Sequence, residues 1–446
     1  MTRKKVYYCL LLMVILPMIA ASQNENGRFI RKVKCEKDST QEYALFVPAG
    51  YSPENNAPLL IFLDPSGKGD VPVNKYHSLA DKFGVIMAGS YNSRNFNGAS
   101  SVGSFVAVYN DLVSQYNIDA GKVWIAGFSG GARAAVAIGI TYPEIKGIIG
   151  CGAGFASDEG ITKESMPAYA AIVGEDDMNY GELLDNSTYL DEKKINNILL
   201  SFYGGHQWSP AGNFGLALEW LLAKDSAVSA TENGINYLKI ANSKFTNGFL
   251  YAAWISLHQF DRIPVYKQSA DSLMQAIEKR KEFATDKEKF RLVLSEEQNC
   301  MNAFSLSFSS MITEKEIGEE KTWIKKVKWI SEMIKDSNSY RQLAGRRCFD
   351  HCTRTCLEYY FQFLETTDFL SAFNAAQVLS FFTPEDAAPF YYMAKAKAAV
   401  GNKKQCEKLL AEAVKKGLPI DKRVLTDDLL LKVLSGEELR KMGSKK

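Results

Sequence analysis

The sequence predicts two architectures in series: an α/β domain with a mostly parallel sheet over residues 24–226, then an all-α domain over 235–446. Three observations carry this. Up to residue 226, short continuous apolar runs of strand length alternate with helix-patterned stretches, as strands covered on both faces require. Beyond 226 the strand-like runs stop and amphipathic helix patterns continue. Finally, Gly127-Phe128-Ser129-Gly130-Gly131 joins the apolar run Val123–Ala126 to an alanine-rich segment (Ala132, Ala134, Ala135, Ala137). That is a strand, a tight turn and a helix in sequence.

Taken in order, the chain opens on an export signal. Arg3, Lys4 and Lys5 precede the apolar run 9–19, and Ala20-Ala21-Ser22 offers small residues for cleavage, so residues 1–22 read as a signal peptide. The run is short for a membrane span, and the mature chain is expected to be secreted or periplasmic, with no membrane segment. Strands are expected at 42–47, 59–63, 85–88, 123–126, 147–151, 168–173 and 198–203, and helices between them at 104–116, 129–142 and 214–222. Residues 225–234 read as a linker. Helices are then expected at 249–258, 269–283, 321–334 and 348–364.

Composition sets outer limits. With 446 residues and 46% apolar content, two or three domains with real cores are expected. A formal charge of +2 carries no footprint for a polyanion, so nucleic acid is not an expected partner. Removing Cys9 leaves seven cysteines, an odd number and no dense disulfide framework. Cys348, Cys352 and Cys356 recur every four residues on one helix face beside His351. Their neighbours Phe349, Leu357, Tyr359 and Tyr360 favour a buried helix, with a metal site as the alternative.

The chemistry concentrates around Ser129. A serine on a sharp strand-to-helix turn is held in a strained conformation with its hydroxyl exposed, and small neighbours let it be so. The helix that follows aims its N-terminal amides where an oxyanion would form. A serine hydroxyl needs a base, and the base needs an orienting carboxylate. After the strand at 168–173 comes Gly174-Glu175-Asp176-Asp177, with three carboxylates in competition. After the strand at 198–203 comes Gly204-Gly205-His206, and of the four histidines only this one sits on a glycine loop at a strand end.

GFSGGAR (127–133), VGEDDMNY (173–180) and GGHQWSP (204–210) together resemble the α/β-hydrolase superfamily, in particular secreted esterases of the feruloyl esterase and polyhydroxybutyrate depolymerase group. The resemblance covers 40–224. It implies a triad of Ser129, His206 and Asp177, with Asp176 as the rival acid. It also implies an oxyanion hole from the amides of Gly130 and of Ser66, or else Gly67. Here the chain departs from the family, because Asp64-Pro65-Ser66-Gly67 stands where His-Gly is usual and proline has no N–H. With 48 positions from Ser129 to Asp177 and 29 from Asp177 to His206, no large lid fits, so an open cleft is expected. Trp208 and Arg94 are candidate substrate contacts; the alternative packs Trp208 into its loop and leaves Arg94 solvated.

Near the C-terminus, Phe390, Ala394, Gly401, Cys406, Leu410 and Ala413 mirror Cys356, Tyr360, Thr367, Ala372, Ala376 and Leu379, 34 residues earlier. These offsets resemble the tetratricopeptide repeat over about 353–420, which implies a protein partner for the helical domain. The expected activity is hydrolysis of a carboxylic ester, on a small molecule or linked to a polysaccharide, without metal or organic cofactor. A serine peptidase and a non-catalytic scaffold are the rivals.

Overall fold

Eight strands form one sheet in the order β1-β2-β4-β3-β5-β6-β7-β8 in the computed structural model, which describes residues 27–446 except 96–97, 156, 224–230 and 445–446. The expected signal segment and most of the expected linker lie outside the described residues. β1 (Arg28–Lys34) pairs antiparallel with β2 (Glu42–Val47), and β2 pairs antiparallel with β4 (Ile86–Ser90). The remaining pairings are parallel. They join β4 to β3 (Ala57–Leu63), β3 to β5 (Ile118–Phe128), and β5 in turn to β6 (Gly147–Cys151), β7 (Ala168–Gly174) and β8 (Asn197–Phe202). This is the strand order of an α/β-hydrolase, as expected.

Side chains alternate across the pleat, so each face of the sheet has its own helical layer. On one face Ile61 and Ile125 pack against α2 (Gly98–Gln115), α3 (Gly130–Thr141) and α4 (Tyr180–Glu192). On the other, Phe62 and Trp124 pack against α1 (Asp70–Phe83) and α5 (Ala211–Leu222). Of the described strands, the sequence reading missed β1. Its pattern RFIRKVK is charged and half-exposed, because it forms the sheet edge.

The C-terminal half is all-helical. It runs through α6 (Glu232–Thr246), α7 (Leu250–Phe260), α8 (Lys267–Glu278), α9 (Phe283–Glu314), α10 (Glu320–Ile334) and α11 (Ser339–Glu365). α12 (Phe369–Phe382), α13 (Ala387–Ala399) and α14 (Lys403–Lys415) follow. α6 starts inside the expected linker because Thr231 caps it, its hydroxyl accepting from Gly234 N–H. The turns of the hairpins α11–α12 and α13–α14 stand 34 residues apart. Thr367 and Gly401 turn the chain with φ of 58° and 74°, and Asp368 and Asn402 cap the next helices. Tyr360 and Ala394, Ala372 and Cys406, and Ala376 and Leu410 are fully buried at matching places.

Cys348, Cys352 and Cys356 line one fully buried face of α11. Among the described residues no group of side chains is arranged to hold a metal ion, and no helix is long and apolar enough to cross a membrane. The core of the helical half is continuous with the sheet face that carries α2, α3 and α4. One consequence is that α9 and α11 lie beside the C-terminal edge of the sheet, where the loops after β5, β7 and β8 converge.

Candidate active site

β5 ends at Phe128 and α3 begins at Gly130, which leaves Ser129 alone on the turn with φ 53° and ψ −124°. This is a strained conformation for a residue with a Cβ, costing on the order of 1–3 kcal/mol. The turn can be this tight because strand and helix touch at glycines. A Cβ on Gly127 would collide with the Gly131 carbonyl, and one on Gly131 with the Leu63 carbonyl. The Ser129 N–H is anchored to the Cys151 carbonyl at 2.9 Å.

His206 arrives on the loop after β8. Trp208 fixes that loop, and the Ser209 carbonyl accepts the Tyr76 hydroxyl at 2.8 Å. The acid loop after β7 is tied to the same place, since Asp176 N–H donates to the Gly204 carbonyl at 2.9 Å. The structure brings Ser129, His206 and Asp177 together. His206 Nε2 lies 2.9 Å from Ser129 Oγ, and Nδ1 lies 3.0 Å from each carboxylate oxygen of Asp177. An ionised carboxylate only accepts, so Nδ1 carries the proton and Nε2 accepts from the serine hydroxyl. In this geometry the imidazole can take the serine proton, with Asp177 beside the cation that results. Asp177 is fully buried and also accepts from Asn179 N–H at 2.9 Å. Gly152, at φ 64°, leaves room beside the dyad: a Cβ there would lie 2.9 Å from Asp177 Oδ2.

The three competing carboxylates separate by partner. Glu175 pairs with Lys244 of α6 at 2.5 Å, Asp176 pairs with Arg346 of α11 at 2.8 Å, and only Asp177 meets His206. Arg347 of α11 donates to the Glu175 carbonyl at 2.7 Å while pairing with Glu297 of α9. The helical half therefore grips the loop that carries Asp177.

Two expectations need correction. Ser66 does not present a free amide, because its N–H donates to Asp64 Oδ1 at 2.9 Å, and the alternative, Gly67 N–H, donates to the Asp64 carbonyl at 3.1 Å. Gly130, as the first residue of α3, does keep an amide without an intrahelical acceptor. Trp208 does not line a cleft. It is buried against Phe62, Tyr76 and Phe128, and its Nε1–H donates to Asp64 Oδ2 at 2.9 Å. Ser129 and His206 are 9% and 8% exposed. Arg94 is exposed on the loop after β4, where it forms a β-bridge with Ser66.

The sequence reading missed a second group of charged residues at this edge. Arg133, one helical turn beyond Ser129, pairs bidentately with Glu182 at 2.8 Å, and Glu182 also accepts from Gly154 N–H at 3.0 Å. Burial pushes the carboxyl of Glu358, on α11, above its ordinary range against the pull of His206, Arg354 and Arg133. An arginine four residues after a candidate nucleophile was the one local signal for this group.

The sequence matches no protein-family profile and no curated protein. Several solved structures match it in part. One is S-formylglutathione hydrolase (FrmB) from Staphylococcus aureus, 15% identical, with 41% of this chain and 90% of that one covered and a TM-score of 0.35. Another is FphF, a fluorophosphonate-binding serine hydrolase of the same organism, 14% identical over 44% and 99%, with a TM-score of 0.38. A third is the feruloyl esterase module from Clostridium thermocellum, 13% identical over 43% and 87%, with a TM-score of 0.36.

Proposed function

We propose that this chain is a serine hydrolase that cleaves carboxylic esters through an acyl-enzyme. The observation that carries the reading is the unbroken hydrogen-bond relay from Ser129 Oγ through the His206 imidazole to the buried Asp177 carboxylate. In this reading Ser129 attacks the acyl carbon and His206 Nε2 takes the hydroxyl proton. His206 then returns it to the leaving alcohol, and water releases the acyl group by the same steps in reverse order. Gly130 N–H holds the developing oxyanion, and Arg94 contacts substrate from the rim. The strained φ of Ser129 supports the reading, because strain of this kind survives where the surroundings over-determine it and clusters at reactive residues. The export signal belongs to the same proposal, with a substrate outside the cytoplasm, and the repeated hairpins are proposed to bind a protein partner.

A fluorophosphonate probe tests the mechanism directly. Ser129 should be the labelled residue, and Ser129→Ala should abolish both labelling and hydrolysis of short aryl esters while its melting curve stays that of the parent. A folded protein that neither labels nor hydrolyses an ester would refute the reading. Higher kcat/KM on dipeptide amides than on aryl esters would move the substrate class to peptides.

A further inference from the structure

An oxyanion formed at Ser129 needs two donors, and the structure supplies only one in the expected place. Residues 65–68 of the loop after β3 have no free amide to offer. Pro65 has no N–H, while Ser66 and Lys68 N–H donate to Asp64 Oδ1 at 2.9 and 3.2 Å. Gly67 N–H donates to the Asp64 carbonyl at 3.1 Å. Trp208 Nε1–H holds the other carboxylate oxygen of Asp64, so this arrangement is locked from both sides.

A different side chain stands beside Gly130. The loop after β4 runs against the Asp64 loop. Ser66 and Arg94 form a β-bridge, and Asn95 N–H donates to the Pro65 carbonyl at 2.9 Å. Gly67 has no side chain to keep the loops apart; a Cβ there would lie 2.6 Å from the Tyr91 carbonyl oxygen. Zipped in this way, the second loop presses the Asn95 carboxamide onto Gly130. A methyl group at residue 130 would collide with Asn95 Oδ1 and lie 3.1 Å from Nδ2. The amide ends exchange places by a half-turn of the terminal torsion, so an N–H reaches this position without any backbone movement.

Resting on the serine hydrolase reading, we propose that the Asn95 side-chain amide is the second oxyanion donor, a catalytic residue that takes the role Asp64 removes from Ser66. As the bond from Ser129 Oγ to the acyl carbon forms, the Oγ proton moves to His206 Nε2. The carbonyl π pair moves onto oxygen, where Gly130 N–H and Asn95 Nδ2–H hold it. Collapse re-forms the carbonyl and expels the alcohol oxygen, which takes the proton from His206. A neutral amide suits this role, because it donates without holding a charge that would also bind a ground-state carboxylate product.

The experiment compares wild type, Asn95→Ala and Asn95→Asp on a short aryl ester, with inhibition by a trifluoromethyl ketone and the rate of fluorophosphonate labelling. Asn95→Ala should lower kcat about 100- to 1,000-fold with KM changed less than about threefold. Ketone affinity and labelling rate should fall with kcat. Asn95→Asp, nearly the same shape but unable to donate when ionised, should lose at least as much and decides the matter if the alanine variant fails to fold. Folded variants that keep kcat and ketone affinity within about threefold of wild type would overturn the role of Asn95 and leave the hydrolase intact. A wild type that neither labels nor hydrolyses would overturn both.

Discussion

Removing Arg347 should destabilise the protein far more than it slows it. Arg347 and Glu297 are 4% and 2% exposed, and the guanidinium meets the carboxylate through Nε at 2.7 Å and Nη2 at 2.5 Å. Its third donor reaches the Glu175 carbonyl at 2.7 Å, and its face lies 4.9 Å from the Tyr180 ring. Arg347→Met leaves a carboxylate buried without its partner, which costs about 3–5 kcal/mol. For a cooperative unit of ordinary domain size this lowers Tm by roughly 6–20 °C. Arg347→Met with Glu297→Leu removes the charge as well as its partner and should recover most of the loss. Activity at 25 °C should fall less than about tenfold in the single variant. Asp177 keeps its loop, because Glu175 N–H still donates to the Phe202 carbonyl at 2.9 Å and Asp177 N–H to the Gly174 carbonyl at 3.0 Å. Thermal melts and ester hydrolysis on the four members of the cycle measure both effects. A double variant as unstable as the two singles added together would refute the buried-pair argument.

Asp177→Asn should lower kcat by about four orders of magnitude by losing the correct imidazole tautomer, whereas Asp176→Asn, whose partner is the half-exposed Arg346, should change it less than about threefold; ester hydrolysis with both variants checks the pair. Gly131→Ala drives a methyl group into the Leu63 carbonyl and should cost about 3 kcal/mol or more, read as insoluble protein or a lowered melt. In the C-terminal helices, Asp427 accepts from Lys395 and Tyr391 at 2.8 Å each, and these bonds together with the Leu430 amide hold its carboxyl below the ordinary range despite burial. A depressed folded pKa contributes stability that is present above the unfolded value near 3.9 and is lost as pH falls below it. Melts between pH 7 and 3 should therefore show a steeper acid loss in wild type than in Asp427→Asn, and identical slopes would contradict this.

Most of the sheet was legible because its central strands are buried on both faces and so read as unbroken apolar runs, such as LLIF in β3 and YAAIV in β7. β1 was not, since an edge strand keeps its charges in water. The 32-residue α9 was also missed: its buried stripe of Phe290, Val293, Cys300 and Phe304 includes Glu297, a charge no apolar pattern admits until its partner is known. The residues brought together at the site stood out because each sits on a local motif, glycines around Ser129 and before His206. Their supports did not. Asp64 meets Trp208 across 144 positions and Arg347 meets Glu175 across 172, and neither separation leaves a mark on the neighbouring sequence.

The helical half has a physical role at this edge of the sheet. Counting positions between catalytic strands measures only a lid inserted there, and the gaps of 48 and 29 positions are indeed too short for one. What lies against this edge comes instead from the far end of the chain, where α11 sets Arg346 and Arg347 on the acid loop and Glu358 within the field of His206. Ser129 and His206 are about nine-tenths buried, and charge interactions strengthen as water is removed from around them. Truncation before α6 would strip Lys244 from Glu175 and Arg346 from Asp176, and would expose the apolar surfaces of Tyr180 and Leu184 that face Phe290 and Leu294. Residues 27–223 expressed alone should therefore aggregate or melt well below the full chain; a soluble, fully active fragment would show that the helices are dispensable to the site they adjoin.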